Sequence, residues 1–502
     1  MTGIRPGVRE ESMVMKRAFG FLSIAGTVAL LIAGATVASA QTPPGATAEV
    51  RAISGAKAYM QAKGLTSLKL NMMMPSIFTA GSTLEMAIFE KETGIGVNYF
   101  EVGILQIQAK AMSEAVAKSG SFDFWIGDPI SLPDLVEAGL ARPIDDLVAR
   151  GKAELDDIVP GFQEQARYKA KTYGLVADGD NFIMTIRKDL IDAPGEREKF
   201  KAKYGWEPGC PDTYEQWYQL AEFFTRDPKG TGVPEVYGAM GYRARGWGWR
   251  WWLQQFYAKG GVPFDDGMKP LIAGKEGVEA LRDYIALTKF MPKDILGWAT
   301  PQAYPFYAGG NAFSIMTYPS IAIAAEHPER SKVVGRNRYC LVPGYLVGGK
   351  LVRRSLQGYG NIFYVSNYAK HPEAAYWLAQ YMTSKEVSAR LVAGPNSVYD
   401  PYRRSHLTDA RVIKARTKEM VETHLKNAQV MAPMILIQGA VEYNDVLDQN
   451  IQEALLGKIT PEDALKTTAA AWEKITNQIG RRQQIEGWKA LKPAYPTKNV
   501  PE

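Results

Sequence analysis

The chain has 502 residues, a formal net charge of +6 and two cysteines. Once a leader is set aside, about 460 residues remain, enough for two substantial domains. The basic residues are scattered along the chain, which excludes nucleic acid and anionic lipid as expected partners.

The first forty residues have the features of a signal peptide. Lys16 and Arg17 precede an apolar run over about 18–37, and residues 38–40, Ala-Ser-Ala, supply a small-x-small cleavage site. The run is long enough for an uncleaved membrane anchor, but its small residues and its Ala-x-Ala ending favour cleavage. We therefore expect a periplasmic protein that is cleaved near Ala40 and begins at Gln41. The start codon is left open among Met1, Met13 and Met15.

The first half of the exported chain alternates between strand and helix patterns. In chain order, strands and helices are predicted over 68–74, 82–92, 97–102, 108–118 and 122–126. A capping box, Ser82-Thr-Leu-Glu85, is predicted to start the first helix. This alternation is typical of a parallel sheet with helices on its faces, and loops at the carboxyl ends of such strands form ligand crevices. Ser76 and Asp128 lie in two of these loops.

An acidic turn lies in the stretch 173–190, YGLVADGDNFIMTIRKDL. Asp178, Asp180 and Asn181 surround Gly179 and lead into a predicted buried strand over 181–187. Turn chemistry alone favours an ordinary turn whose Asp side chains cap their own backbone. Because this loop has the same position relative to a strand as those at Ser76 and Asp128, we favour ligand contact through Asp180 and Asn181.

A metal site is not predicted, and we expect no cofactor. Asp178 and Asp180 begin like a calcium loop, but Phe182 stands where a third oxygen ligand belongs. The histidines and cysteines lack metal-ligand spacing. Cys210 and Cys340 either pair, closing a loop of about 130 residues, or remain separate buried thiols.

The middle of the chain is more helical and rich in tryptophan. A second capping box is predicted at residues 212–215, and Trp251 and Trp252 are predicted to lie in the core. Glycines precede Trp247 and Trp249, so either ring could be presented to a ligand, where a flat aromatic face suits the C–H faces of sugars and polyols. Further strands are predicted over 312–317 and 361–365, and further helices over 372–381 and from Pro461.

These motifs resemble those of the family 1 extracellular solute-binding proteins, the maltose-binding-like receptors of bacterial ABC importers. The resemblance extends over about 68–479 and rests on the order and spacing of several segments. They are FEKETGIGV at 89–97, FDFWIGDPISLPDLVEAGLARPIDDL at 122–147, YGLVADGDNFIMTIRKDLI at 173–191, PDTYEQWYQLAEFF at 211–224, FYAGGNAFSIMTYPS at 306–320, HPEAAYWLAQYMTSKE at 371–386 and ITPEDALKTTAAAWEKI at 459–475.

The resemblance implies an α/β fold with two lobes, each a sheet flanked by helices, and a ligand cleft between the lobes. It assigns residues 65–178 and 362–410 to the N-terminal lobe, and residues 179–361 and 411–485 to the C-terminal lobe. Chain crossings between lobes are expected at 173–182, at 357–365 and around 407–420. Both cysteines then fall in the C-terminal lobe, which favours a disulfide between them.

The resemblance also implies a set of ligand residues, with Asp180 as a cleft carboxylate. The other positions are Ser76, Asp128, Asn181, Tyr318, Ser320, Tyr359 and Tyr443, beside Trp247 or Trp249. Maltose binders place aromatic stacking residues where this chain has Ser320 and Asn444. That departure favours a small polar ligand, such as a monosaccharide or polyol, over a long oligosaccharide.

The expected function is therefore a binding receptor, without enzymatic activity, that passes a small carbohydrate or polyol to the transmembrane subunits of an ABC permease. We expect it to act as a monomer. One alternative is an exported glycoside hydrolase that uses Asp128, Asp178 and Asp180, although nucleophile-elbow and phosphate-loop motifs are missing from the sequence. Another is a receptor for a charged compound, either a polyamine held by these acids or a phosphorylated compound held by Arg243 and Arg245.

Overall fold

The computed structural model describes residues 45–358 and 360–495, so the predicted signal peptide at 1–40 lies outside them. The strands are β1 Leu68–Pro75, β2 Ile95–Val102, β3 Phe124–Gly127, β4 Arg167–Tyr168, β5 Lys171–Thr172, β6 Gly174–Val176, β7 Ile183–Arg187, β8 Ser314–Thr317, β9 Asn337–Cys340, β10 Gly344–Val347, β11 Lys350–Arg353, β12 Ser355–Leu356, β13 Ile362–Val365 and β14 Met431–Ala432.

The first eleven helices are α1 Ala48–Ala62, α2 Ser76–Thr93, α3 Ile107–Ala117, α4 Leu132–Glu137, α5 Asp145–Gly151, α6 Pro160–Gln163, α7 Lys188–Ile191, α8 Glu196–Tyr204, α9 Tyr214–Phe224, α10 Trp249–Ala258 and α11 Lys275–Thr288. The remaining helices are α12 Thr300–Ala308, α13 Ile321–Ala325, α14 Pro372–Thr383, α15 Lys385–Ala393, α16 Ala410–Arg416, α17 Lys418–Ala428, α18 Ala440–Leu455, α19 Pro461–Ile479 and α20 Arg481–Leu491. Within the described residues, we find no helix with the length and apolar character needed to cross a bilayer.

The larger sheet has five strands in the order β2-β1-β3-β13-β6. β1 pairs in parallel with β2 and β3, which confirms the parallel arrangement predicted for the first half of the chain. β13 returns from a distant part of the sequence and runs antiparallel between β3 and β6. Successive side chains of β1 point to opposite faces, so Met72 and Met74 join one apolar cluster while Met73 joins another with Trp125.

The smaller sheet has three antiparallel strands in the order β8-β7-β9. Helix α10 packs on it, and the Trp251 indole nitrogen donates to the Met316 carbonyl at 2.8 Å. Trp251 and Trp252 are both buried, which confirms their predicted place in the core. From α9, the Trp217 indole donates to the Ser314 hydroxyl at 2.9 Å.

Two connections run between strands of the two lobes. Residues 177–182 lead from β6 in the large sheet to β7 in the small one, and the segment after β12, a strand that α10 packs against, leads to β13 in the large sheet. Near the first connection, the Phe182 amide donates to the Ser355 hydroxyl at 3.1 Å, so the two connections run close together. A third passage, between α15 and α16, joins helices of the larger lobe to α17, which packs on β7 and β9. Asp128, directly after β3, faces the smaller lobe, where it pairs with Arg250.

Two predicted helix starts are wrong, for local reasons. α2 begins at Ser76 directly after Pro75, and Ser82 lies inside the helix, where its hydroxyl donates to the Phe78 carbonyl. α9 is capped by Thr213 with Gln216, one residue later than predicted, because the Gln216 side chain reaches back to the cap. The cap at Thr460 and the helix from Pro461 are confirmed.

Helix α1 was not predicted, since its sequence reads as a polar leader. Thr47 caps it, accepting from the Val50 amide, and its small face of Ala52 and Ala56 is buried. The Gln380 amide of α14 donates to the Ala48 carbonyl at 3.0 Å. The helix therefore depends on tertiary packing more than on its own hydrophobic pattern.

Cys210 and Cys340 form a disulfide. Cys340 ends β9 of the smaller sheet, and Cys210 lies just before α9, which packs on the same sheet. Both sulfurs therefore belong to the smaller lobe.

Candidate functional site

A cavity of about 580 Å³ lies where the carboxyl ends of β1 and β3 meet α10 and α18. The large sheet contributes Pro75 and Asp128, and the smaller lobe contributes Trp249, Arg250 and Asn444. Apolar side chains from the α3 region and its surroundings form much of the remaining wall: Ile104, Leu105, Ile107, Met112, Ile130 and Val441. A cavity of this size with a mixed lining is typical of small-molecule binding sites.

An ion pair joins the two lobes at this cavity. The Asp128 carboxylate accepts from Arg250 Nη2 at 2.9 Å and, with its other oxygen, from the Ile130 amide at 3.0 Å. The Arg250 guanidinium also lies 4.3 Å from the centre of the Trp249 ring. Burial raises the pKa of Asp128 to about 6, although Arg250 and the Ile130 amide favour its ionised form.

A second set of charges lies at the mouth of the cavity, between Arg245 and helix α18. Arg245 donates to Asp448 at 2.5 Å and to Asp445 at 2.7 Å. The Gly246 amide also donates to Asp448, at 2.5 Å. All five charged side chains among the described lining residues are thus paired with one another.

Helix α18 presents a polar face to the cavity. Val441, Asn444, Asp445 and Asp448 follow helical spacing and line the wall, whereas Tyr443 points to the opposite side. Asn444 is buried, and its Nδ2 donates to the Ala440 carbonyl at 2.7 Å. Its Oδ1 and the Asp448 Oδ1 have no hydrogen-bond partner among residues 45–358 and 360–495. The cavity-facing side of α18 therefore contains acceptor oxygens with unused hydrogen-bonding capacity, buried at the wall.

The start of α18 makes a further contact between lobes. Asp134, on α4, accepts from the Gly439 amide at 2.6 Å, at the helix N-terminus where backbone donors are otherwise open. Burial raises the pKa of Asp134 to about 6 against the opposing effect of the Gly439 and Val441 amides.

A buried cluster of three carboxylates lies at the connections between lobes. One oxygen from each of Asp178, Asp180 and Asp400 lies within 4.8 Å of the others, and all three side chains are buried. Asp178 accepts from the Asp400 amide at 2.6 Å and from the Asn361 side-chain amide at 3.2 Å. Asp400 is paired with the buried Arg416 at 2.7 Å.

Burial and mutual repulsion raise the pKa values of these acids. Burial, followed by the neighbouring Asp400, raises the pKa of Asp178 to about 8. Burial, followed by Asp178 and Asp400, raises the pKa of Asp180 well above its ordinary value. Burial also raises the pKa of Asp400, although Arg416 opposes the shift.

A sequence profile of the bacterial extracellular solute-binding proteins matches residues 86–405, more than half of the chain. The chain belongs to this family. The family resemblance and the two-lobed α/β fold predicted from the sequence are therefore confirmed.

Solved structures of sugar- and polyol-binding proteins share the fold of this solute-binding protein. Maltose-bound MalE3 of T. maritima matches with a TM-score of 0.69 and 18% identity, covering 82% of this chain and 100% of that one. An ABC transporter solute-binding protein of Agrobacterium radiobacter K84 in complex with ribitol matches with a TM-score of 0.70 and 22% identity, covering 81% and 98%. One of Agrobacterium vitis S4 with bound D-mannitol has a TM-score of 0.69, 19% identity and coverages of 82% and 99%.

In this solute-binding protein, the cavity contains two of the predicted ligand residues, Asp128 and Trp249, together with Arg245 and Asn444, which the sequence analysis also named. Ser76 is exposed at the start of α2, next to the cavity-lining Pro75. Trp247 is half-buried and meets Tyr242 edge-on. Tyr359 lies outside the described residues.

The other predicted ligand residues within the described part of the chain do not line this cavity. Asp180 faces Asp178 and Asp400, and Asn181 bonds through its Oδ1 to His424 at 2.7 Å. Tyr318 packs against Phe182 and Trp251, and the Ser320 hydroxyl bonds to Tyr304 at 2.8 Å. Tyr443 is fully buried, and its hydroxyl bonds to Thr476 at 2.8 Å.

Sequence reasoning missed Arg250, Asp448, Asp400 and Arg416. The polar spacing of Asn444 and Asp448 on a helix was a usable signal for the cavity face of α18. Arg243, considered from the sequence as an anion ligand, is buried and stacks 3.7 Å from the Tyr284 ring centre. Asp400 and Arg416 come from a distant segment, and local sequence carries no sign of their meeting with Asp178.

Proposed function

We propose that this protein is the exported receptor of an ABC importer and that it captures a small, uncharged, polyhydroxylated ligand between its lobes. The ligand class is a monosaccharide, a short oligosaccharide or a polyol. The proposal rests on the family membership and, for the ligand class, on Asn444 and Asp448 in the cavity wall, each of which has one acceptor oxygen without a hydrogen-bond partner in the part of the chain that the structure describes. Hydroxyl groups are donors that such acceptors can bind.

The pairing of charges in the cavity favours an uncharged ligand over an ionic one. Asp128 is matched by Arg250, and Asp445 and Asp448 are matched by Arg245. The five charges sum to −1, so a phosphorylated compound would add negative charge beside these acids, and a polyamine would compete with Arg245 and Arg250 for carboxylates that are already paired. Apolar side chains around these groups suit the C–H faces of a sugar or polyol.

Capture by lobe closure is supported by the contacts that join the lobes beside the cavity. The Asp128–Arg250 pair and the Asp134–Gly439 hydrogen bond each connect a residue of the larger lobe to a residue of the smaller lobe. Closure by bending at the connections at 177–182 and 357–361 would form both contacts at once. Small-angle scattering should then show a smaller radius of gyration with saturating ligand than without it, and an unchanged radius contradicts closure.

The ligand class is tested by a thermal-shift screen of monosaccharides, short oligosaccharides, polyols, polyamines and sugar phosphates, followed by calorimetry on each ligand that raises the melting temperature. An uncharged, hydroxylated ligand is the expected result. Stabilisation by the charged compounds alone contradicts the proposal. Turnover of aryl glycosides would instead support the hydrolase alternative.

Two asparagines on α18 give a matched pair of variants. Asn444 lines the cavity, whereas Asn450 is outside the lining, and each donates to the carbonyl four residues earlier. Asn444→Ala should weaken ligand binding about tenfold or more, because a ligand hydroxyl loses its acceptor. Asn450→Ala should leave the affinity unchanged. Equal effects of the two changes would mean that the ligand lies elsewhere.

A further inference from the structure

We propose that Asp178, Asp180 and Asp400 bind a divalent, oxygen-preferring cation, with Ca²⁺ as the best-fitting ion, at the junction of the two lobes. This site is separate from the capture of the organic ligand. Three chain segments supply it: residues 177–182, the segment between α15 and α16, and Asn361 just before β13.

When all three carboxylates are ionised, the charges in the cluster do not balance within the described part of the chain. Three carboxylates face one guanidinium, that of Arg416, whose other donors bind the carbonyls of Val392 and Tyr399. Ionised carboxylates without counter-ions are costly to bury. A divalent cation brings the sum of the carboxylates, Arg416 and the ion to zero, whereas a monovalent cation leaves one negative charge.

A second observation points to a bound ion. Asn361 is 1% exposed, and its amide reaches the cluster, yet its Oδ1 has no hydrogen-bond partner among the described residues. The Asp400 Oδ2, also buried, lacks a hydrogen-bond donor in the same part of the chain. Both are oxygens of the kind that Ca²⁺ takes as ligands, from carboxylates and amide carbonyls.

The spacing of the carboxylates suits one Ca²⁺ ion. Ca²⁺–oxygen distances are about 2.3–2.6 Å, so two oxygens on one ion lie at most about 5 Å apart. The three carboxylate oxygens all lie within 4.8 Å of one another, inside that limit. Asn361 also lines the cavity, so the cluster lies one side chain behind the cavity wall.

The site is tested with protein treated with EDTA, dialysed, and titrated with CaCl₂ and separately with MgCl₂ in the absence of any sugar. We expect saturable binding of one Ca²⁺ with a dissociation constant of about 1 mM or tighter, and weaker binding of Mg²⁺. At a hundredfold excess over the dissociation constant, the melting temperature should rise by about 2–4 °C.

Two carboxylate variants locate the ion. Asp180→Asn should weaken Ca²⁺ binding at least about tenfold and remove the thermal shift at moderate Ca²⁺, because it deletes one charged ligand. Asp156→Asn changes an exposed acid in another acidic segment and should behave as the unmodified protein. Asp178→Asn provides an independent second change in the cluster.

Two results would overturn the proposal. One is the absence of a saturable heat and of a thermal shift up to about 10 mM Ca²⁺ or Mg²⁺, which would mean that protons alone neutralise the cluster. The other is an unchanged Ca²⁺ response in both cluster variants, which would place the ion elsewhere. Because no sugar is present, neither result depends on the organic ligand that the cavity binds.

Discussion

Two acidic regions of this protein, the cavity and the carboxylate cluster, differ in how their charges are balanced. In the cavity, three carboxylates are shared between Arg245 and Arg250, and the Arg245 side chain is 45% exposed, so water can also solvate these groups. In the cluster, three buried carboxylates share the buried Arg416. The comparison shows that similar numbers of acids serve different purposes, according to whether solvent and counter-ions reach them.

The largest expected effect comes from breaking the pair in the cluster. Arg416→Met leaves Asp400 buried without its guanidinium and should lower the free energy of unfolding by about 3–5 kcal/mol. Arg411, also on α16, pairs at the surface with Asp409 and Glu386. Arg411→Met should lower the free energy of unfolding by about 1 kcal/mol or less. Urea unfolding in EDTA measures both values, and equal losses would contradict the contrast between buried and exposed charge.

The matching change in the cavity is Arg250→Met. It should weaken ligand binding about tenfold to a hundredfold, on the order of 1.4–2.8 kcal/mol, because Asp128 loses the partner that holds it in place. The loss of folding stability should be smaller than for Arg416→Met, since Asp128 adjoins a cavity that admits water. Arg282→Met, at an exposed pair with Glu462, is the control. Calorimetry measures the affinity and urea unfolding the stability. A larger affinity loss for Arg282→Met than for Arg250→Met, or a larger stability loss for Arg250→Met than for Arg416→Met, would contradict these expectations.

The burial of Asp134 beside Gly439 predicts a pH-dependent difference in stability. The pKa of Asp134 is raised to about 6 in the folded protein, so the folded state binds more protons than the unfolded state between about pH 4 and pH 6. Its contribution to the free energy of unfolding should therefore fall as pH rises through this window, by about 1–2 kcal/mol, since the side chain is partly exposed and solvent screens it.

Asp134→Asn keeps an acceptor for the Gly439 amide but removes the titrating group. The variant should gain stability relative to the unmodified protein as pH rises from 4 to 7, measured by urea unfolding at each pH. Parallel pH profiles for the two proteins would show that Asp134 does not titrate in this range.

The smallest effect is expected at the mouth of the cavity. Asp445 is 64% exposed and shares Arg245 with Asp448, which is 1% exposed and also binds the Gly246 amide. Asp445→Asn should change ligand affinity and stability by less than about 0.5 kcal/mol. Asp448→Asn should cost clearly more by calorimetry, because a buried acceptor of two donors is altered. Similar costs would mean that exposure does not decide the role of these acids.

The fold was accessible from the sequence because its signals are local. Alternation of short apolar strands with helices specified the parallel arrangement of β1, β2 and β3, and the cap at Thr460 specified the start of α19. α1 was missed because alanines form most of its buried face, with Tyr59 and Met60 only near its end, and alanines give a weak hydrophobic pattern. The resemblance of several segments to the extracellular solute-binding proteins added the two-lobed arrangement. The exact lobe boundaries stay a prediction.

The candidate site was only partly accessible, because its residues meet over long distances in the sequence. Asp128 and Trp249 follow a strand and a glycine-rich entry, which are visible patterns. Asp400 lies 222 residues from Asp178, so a search for a calcium loop around Asp178 and Phe182 had no means of including it. Tyr443 was selected instead of its neighbour Asn444 because helical phase near a terminus is hard to fix from sequence.

The disulfide between Cys210 and Cys340 lies within the smaller lobe, and this determines what a reducing environment does to the molecule. The bridge closes a span of 130 residues but crosses neither connection between the lobes. Its reduction should therefore destabilise the smaller lobe and leave the connections between the lobes unchanged. Under the function proposed above, reduction should change how long the protein stays folded and leave its affinity for solute unaltered.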